Sequence, residues 1–192
     1  DSKMALLDFG EEDTDNAMAG LCSFPQVMGH EVVATVEAAG PEAEGFDPGQ
    51  RVVLNPWLSC GPRGVNPPCP SCAEGRFSLC HNFTAPPIAP GLHTGLSKDA
   101  TGGWADLMPA HTQMLFPVPD RVSDEDAVLA DPFAVSLHAV VNHPPPPGGR
   151  VVVWGAGALG STATAILRAL YPDVEVAVVA RFDGQADLAR RL

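Results

Sequence analysis

The sequence predicts a β-rich domain carrying a cysteine-rich lobe, followed by the opening of an α/β nucleotide-binding domain. Three observations carry this expectation. Four of the five cysteines fall within residues 60–80, in the spacing C-x8-C-x2-C-x7-C. Short strand-like apolar runs, broken by glycine and proline and rich in β-branched residues before the lobe, lie on both sides of it. From Val151 onward the pattern changes to an apolar strand, then Gly-x-Gly-x-x-Gly, then a helix.

The early elements follow from local chemistry. Met4–Phe24 is acidic (Glu11, Glu12, Asp13, Asp15) and is expected as a short helix or solvated surface loop. Val32–Gly40 reads as a strand ending in Gly-Pro, Phe46–Gln50 as a turn, and Arg51–Leu54 as a second strand. In the lobe, Gly and Pro fill the gaps between cysteines, so loop is expected rather than helix or strand. Beyond it, Gly102–Met108 and Gln113–Pro119 read as two more short strands. Ser123-Asp124-Glu125-Asp126 is a helix start of capping-box type.

Residues 131–140 continue as a mostly apolar helix, which the proline run Pro144–Pro147 breaks. The expected domains are therefore residues 1–143, with the lobe at 60–80, and residues 144–192. Val151–Trp154 is a buried-strand run, Ser161–Leu170 a helix, Val174–Val179 a second strand, and Asp183 the cap of a last helix.

Composition excludes several functions. The 192 residues hold one large domain or one and a half small ones, and 45% are apolar. A net charge of −12 with scattered basic residues opposes a nucleic-acid face. No apolar run approaches a membrane span. Nothing resembles a signal peptide, so a reducing, cytoplasmic setting is expected. The chain starts Asp1-Ser2-Lys3-Met4 and stops inside a helical pattern, so it reads as a piece of a longer protein.

Four thiolates around one Zn²⁺ would hold a lobe that has few apolar side chains, because a closed cysteine tetrahedron contributes folding energy directly. A pair of disulfides is the rival reading and needs an oxidising compartment. The nucleotide turn is Gly155-Ala156-Gly157-Ala158-Leu159-Gly160, where Gly155, Gly157, Ala158, Leu159 and Gly160 would meet the cofactor. Its glycines permit a tight turn and close approach of a pyrophosphate, which then sits on a helix N-terminus. An NAD site favours an acid at the end of the second strand, but this chain has Ala180-Arg181 there. A small residue followed by Arg suits a 2′-phosphate, so NADP is favoured over NAD. The alternative is a solvated Arg181 and an enzyme that takes either.

Gly29-His30-Glu31 could supply a metal ligand and a nearby carboxylate that orients it or replaces a ligand. Asp131 could close a second metal site or serve as a helix N-terminal acid. Pro56 and Trp57 could line a cleft or simply pack. Cys22 reads as a buried thiol. His81, His93, His111, His138 and His143 show no spacing that suggests a site and read as structural or surface residues.

Taken together, these motifs resemble the zinc-containing medium-chain dehydrogenases, the alcohol, sorbitol and threonine dehydrogenase superfamily. Gly29-His30-Glu31 is similar to the family's G-H-E, and Cys60, Cys69, Cys72 and Cys80 to its structural zinc lobe. Gly102-Gly103-Trp104-Ala105-Asp106 resembles its G-G-F-A-E, and residues 131–139 the E-P-L-A-V-x-x-H-A of its polyol-dehydrogenase branch. The resemblance implies a β-rich GroES-like catalytic domain followed by the first part of an α/β Rossmann domain. It also implies zinc-assisted hydride transfer between an alcohol, polyol or carbonyl substrate and NAD(P), one structural and one catalytic zinc, and a homodimer or homotetramer.

The chain departs from the family in three places. The lobe's opening gap is eight residues where the family usually has two. Asp131 stands where the branch has Glu, a shorter arm that shifts the metal or admits a water. The family's first catalytic cysteine would lie just upstream of Asp1, and Cys22 is too close to His30 to replace it. The resemblance thus implies a catalytic zinc held by that missing cysteine, His30 and either Asp131 or Glu31, in a fragment inactive by itself. Two other classes remain: a zinc-free enoyl or quinone reductase, opposed by the lobe and Gly-His-Glu, and a zinc-stabilised non-catalytic binding module, opposed by the charge and the nucleotide loop.

Overall fold

The computed structural model describes residues 20–192. Residues 4–19 of the acidic stretch, expected as helix or loop, lie outside them. By packing the chain divides into two compact units, one ending at Val128 and the other beginning at Leu129. The apolar helix that the sequence reading grouped with the first domain thus packs within the second unit.

In the first unit three short strands form an antiparallel sheet, β1 (Val33–Thr35), β2 (Arg51–Leu54) and β3 (Leu115–Pro117), with β2 in the centre. Val33 faces Val53, and Val53 in turn faces Phe116. The period-two pattern of β2 buries Val52 and Leu54 on one face. Leu54 joins Leu58, Ala100 and Met114 in the core, with Val32, Ile88, Met108 and Leu115 against it. Among the described residues the first helix, α1 (Pro70–Ala73), is a single turn inside the lobe, and α2 (Asp124–Ala127) is capped by the Ser123 hydroxyl, which accepts from the Asp126 amide at 3.1 Å. Arg51 ties this helix to β2 by donating from Nε to Asp124 at 2.9 Å.

Two expectations fail locally. The lobe was expected as loop throughout, yet Pro70 at the first helical position starts the turn α1. Gly102–Met108 was expected as a strand, but it joins no sheet. Its amides bond instead to an irregular segment: Gly102 to Val27 at 2.6 Å, Gly103 to Gly29 at 2.9 Å and Trp104 to Met28 at 2.9 Å. A side chain at Gly102 would fall 2.3 Å from the Gly29 oxygen. The double glycine is there for close backbone approach, not for a strand.

In the second unit, β4 (Arg150–Trp154) and β5 (Glu175–Val179) pair in parallel, and α4 (Ala158–Leu170) makes the crossover between them. The helix α3 (Ala130–Asn142) packs along α4. Its Ser136 hydroxyl lies 2.7 Å from that of Thr162 and donates to the Leu159 carbonyl at 3.0 Å. Val140, Ile166 and Leu167 form the core, with Val151, Val153 and Val176 from the sheet. In both strands alternate residues are half-buried and the others exposed, so the helices cover one sheet face within this unit. The last helix, α5 (Asp183–Arg191), starts after Phe182; Asp183 is its first residue and not its cap.

Candidate metal centre and nucleotide turn

The cysteine lobe is built around sulfur. The sulfur atoms of Cys60, Cys69, Cys72 and Cys80 all lie within 4.8 Å of one another. Those of Cys60 and Cys80 are 3.7 Å apart, and no pair is joined as a disulfide. A tetrahedral zinc with arms of about 2.3 Å would have sulfur–sulfur edges of about 3.8 Å. Amides already point at the sulfurs: those of Cys69 to Cys60 (3.3 Å), His81 to Cys69 (3.5 Å) and Asn82 to Cys80 (3.3 Å), with the Asn82 side-chain amide at 3.1 Å from Cys60. Such donors stabilise thiolate charge. The amides of His81 and Cys72 hold the Cys69 thiol down to about 6, whereas burial pushes Cys80 up to about 12. Burial also pushes Cys72 up. The donor set fits a structural zinc, whose charge would favour the thiolates that burial disfavours.

Sequence reasoning missed Arg63, which lies inside the lobe and is only 1% exposed. Its Nε donates to the Leu58 carbonyl at 2.9 Å. One Nη donates to Ala85 (2.9 Å) and Ile88 (2.7 Å), the other to Ala89 (3.3 Å) and Gly91 (2.8 Å). All five guanidinium N–H groups thus meet backbone carbonyls, a fork geometry that lysine cannot supply. Burial lowers its pKa, and the nearby Cys80 thiolate opposes that shift. A buried cation hydrogen-bonded to neutral carbonyls is electrostatically suited to a neighbouring zinc–tetrathiolate, which carries two net negative charges.

His30 and Glu31 follow Gly29, whose φ of +99° belongs to the left-handed region. A Cβ at Gly29 would also meet the Trp104 ring at 2.7 Å. Glycine is therefore needed where the chain turns to present His30. The residue beside it is His93, with ring centroids 4.4 Å apart. His93, expected as a structural or surface residue, is thus the ring next to His30. The signal in the sequence was Gly91-Leu92-His93-Thr94-Gly95, a histidine between two glycines in a turn. Trp57 stands edge-on to His93 at 6.3 Å and reaches Phe83 at 5.8 Å on its other side. Two other histidines make local contacts. His81 meets the Ser71 hydroxyl at 3.2 Å, and His111 accepts from the Gln113 amide at 3.1 Å. Cys22 is buried against Leu96, with Phe24 and Met28 around it. Asp131 lies in the first turn of α3, in the second unit.

The nucleotide turn joins β4 to α4. Gly155 has φ +106°, and its amide donates to the Val179 carbonyl at 3.0 Å, which binds the turn to the end of β5. A Cβ at Gly160 would lie 1.8 Å from the Gly155 oxygen, so only glycine lets the helix start this close to the strand. A Cβ at Gly157 would meet nothing within 4 Å, and Ala158 and Leu159 open the helix with exposed backbone amides ahead of them. Arg181 follows β5, is exposed, and holds its guanidinium 5.2 Å from the Phe182 ring centre. Among the described residues no helix is long and apolar enough to cross a membrane.

Comparison with known proteins agrees with this architecture. Residues 8–120 match the family described as the alcohol dehydrogenase GroES-like domain. Sorbitol dehydrogenase of Bacillus subtilis strain 168 is 29% identical over 148 residues, which are 76% of this chain and 37% of that protein. Among solved structures, RspB of Escherichia coli CFT073, complexed with NADH, superposes with a TM-score of 0.72 at 27% identity, over 88% of this chain and 45% of that one. A protein described as a zinc-binding dehydrogenase from Sinorhizobium meliloti 1021, bound to NADP, gives 0.70 at 26% identity over 88% and 45%. The chain spans less than half the length of each of these three. With its GroES-like domain, its four-cysteine cluster and the parallel α/β segment that follows, the chain belongs to the zinc-containing medium-chain alcohol dehydrogenase family.

Proposed function

We propose that the protein to which this chain belongs is a zinc-dependent oxidoreductase that transfers a hydride between an alcohol or polyol, or its carbonyl counterpart, and NAD(P). The observation that carries this reading is the Gly155–Gly160 turn, where the close approach of Gly160 to Gly155 leaves a helix N-terminus open to a pyrophosphate. His30 supplies an imidazole for the catalytic metal, and Glu31 and Asp131 are the carboxylates that complete or orient its ligand set. Nitrogen and carboxylate oxygen are ordinary zinc donors. When bound, zinc supplies a Lewis acid that lowers the pKa of a substrate hydroxyl. Trp57 and Pro56 would line the substrate side, and the turn would hold the pyrophosphate of a nucleotide whose nicotinamide would supply the hydride chemistry.

NADP is the favoured cofactor, because Ala180-Arg181 ends β5 without an acid and with a guanidinium suited to a 2′-phosphate. A homodimer or homotetramer in a reducing, cytoplasmic setting accords with the family and with the four thiols of the lobe. Domains of residues 1–143 and 144–192 remain the functional division we favour. Titrating the zinc-loaded full-length protein with NADPH and NADH tests the reading. Saturable binding of both is expected, with NADPH the tighter, and Arg181→Ala should weaken NADPH far more than NADH. No saturable nucleotide binding would remove the dehydrogenase assignment; equal NADPH affinity before and after the substitution would remove only the cofactor preference.

A further inference from the structure

His93 is better placed than a filler residue needs to be. Its loop is fixed on three sides. The Leu92 carbonyl accepts from Leu58 at 3.0 Å, the Thr94 amide donates to Pro56 at 3.0 Å, and the Gly95 amide donates to Ala100 at 3.0 Å. Gly95 itself lies so close to Met28 and Gly29 that a Cβ would meet their backbone at 3.2 Å. The same short segment therefore positions both His30 and the loop bearing His93. A side chain on backbone held this firmly is suited to reading a ligand's geometry.

The hydrogen bonding of the ring fixes its role. Nδ1 lies 2.7 Å from the Thr94 carbonyl oxygen. A carbonyl only accepts, so Nδ1 carries the proton. In that tautomer the neutral ring leaves Nε2 as an acceptor with a lone pair. The ring stands beside His30 and nearly perpendicular to that of Trp57, in a row of rings that ends at Phe83. Within this row, acceptor chemistry beside His30 comes from His93, while the indole of Trp57 can only donate.

We propose that His93 is a substrate-binding, specificity-determining residue. Its Nε2 accepts a hydrogen bond from a second hydroxyl of the alcohol, so that the site takes vicinal diols and polyols ahead of simple alcohols. This assignment rests on the dehydrogenase reading above. Trp57 supports it, because an indole face suits the CH surface of a polyol chain.

The test uses the zinc-loaded full-length enzyme and two probes that differ by one hydroxyl, butane-2,3-diol and butan-2-ol. The wild type should favour the diol. His93→Leu should lower kcat/KM for the diol roughly tenfold more than for butan-2-ol, mostly through KM. His93→Gln keeps an acceptor oxygen near the Nε2 position and should restore most of the loss. Calorimetric affinity for the diol in the presence of reduced cofactor should fall by the same factor in the Leu variant, which gives a readout apart from turnover. Equal losses for both alcohols, or no loss for either, would overturn the assignment while leaving the dehydrogenase reading intact. Absence of turnover by the wild type with every alcohol in a panel spanning both kinds would remove the dehydrogenase reading, and the assignment of His93 with it.

Discussion

The cysteine lobe and the nucleotide turn are both loops shaped for a ligand, yet they are built from opposite materials. The lobe is side-chain chemistry. Four sulfurs, the amides that face them and one buried guanidinium hold it, with Val65 and Phe83 as its main apolar company. The turn is backbone sterics. Gly155 and Gly160 fix it, and it rests on a conventional apolar core of Val140, Ile166 and Leu167. The lobe should therefore depend on its metal for order, whereas the turn should persist with or without its nucleotide.

Removing the metal is the most forceful way to break the comparison. Structural zinc contributes on the order of 10 kcal/mol or more in small metal-dependent folds. Cys69→Ala or a strong chelator should unfold the lobe, and hydrogen exchange should show the amides of His81 and Asn82 losing protection while those around Ile166 keep theirs. Protection retained in the lobe would mean that Arg63 and local packing suffice without zinc.

Arg63→Met separates those contributions. It leaves five carbonyls without their donors and should cost about 3–5 kcal/mol, read as a lower urea midpoint in the zinc-loaded protein. A cost below about 1 kcal/mol would mean that water replaces the guanidinium and that the lobe depends on zinc alone.

Gly160→Ala applies the same logic to the turn. The added methyl collides with the Gly155 oxygen. Nucleotide affinity, followed by NADPH fluorescence in the full-length protein, should fall by more than tenfold, or about 1.4 kcal/mol, while far-UV circular dichroism stays near wild type.

A smaller effect concerns pH. The folded pKa of His93 lies below the ordinary value of 6.5, at about 4. As pH falls from 6.5 towards 4, the unfolded chain therefore binds a proton that the folded chain refuses, and stability drops. Urea unfolding at pH 7 and pH 5 should show a larger loss for the wild type than for His93→Gln. Equal losses would mean that the folded ring takes up its proton as readily as the unfolded one.

Legibility followed sequence distance. Strand β2, the capped start of α2 and the strand–turn–helix of the nucleotide segment were all readable, because each depends on neighbours a few residues apart: alternation, a serine cap, spaced glycines. The expected strand at Gly102–Met108 was not, because its double glycine answers to the backbone of residues 27–29 and not to its own surroundings. Arg63 looked like one more polar residue in a loop until the carbonyls of residues 85–91 closed around it.

By itself the sequence determined which donors exist and at what spacing: four thiols in a loop that an ion can close, a glycine-rich turn between strand and helix, and an Ala-Arg pair where an acid would favour NAD. Those are local chemical facts, and the periods of helix and strand carry them directly. Only the tertiary structure decided that His93 stands beside His30, that Arg63 directs every donor at backbone, and that α3 packs with the second unit. The reason is physical. Contacts between residues far apart in sequence are set by how buried surfaces fit and by which backbone groups need partners, and no single stretch of chain records either.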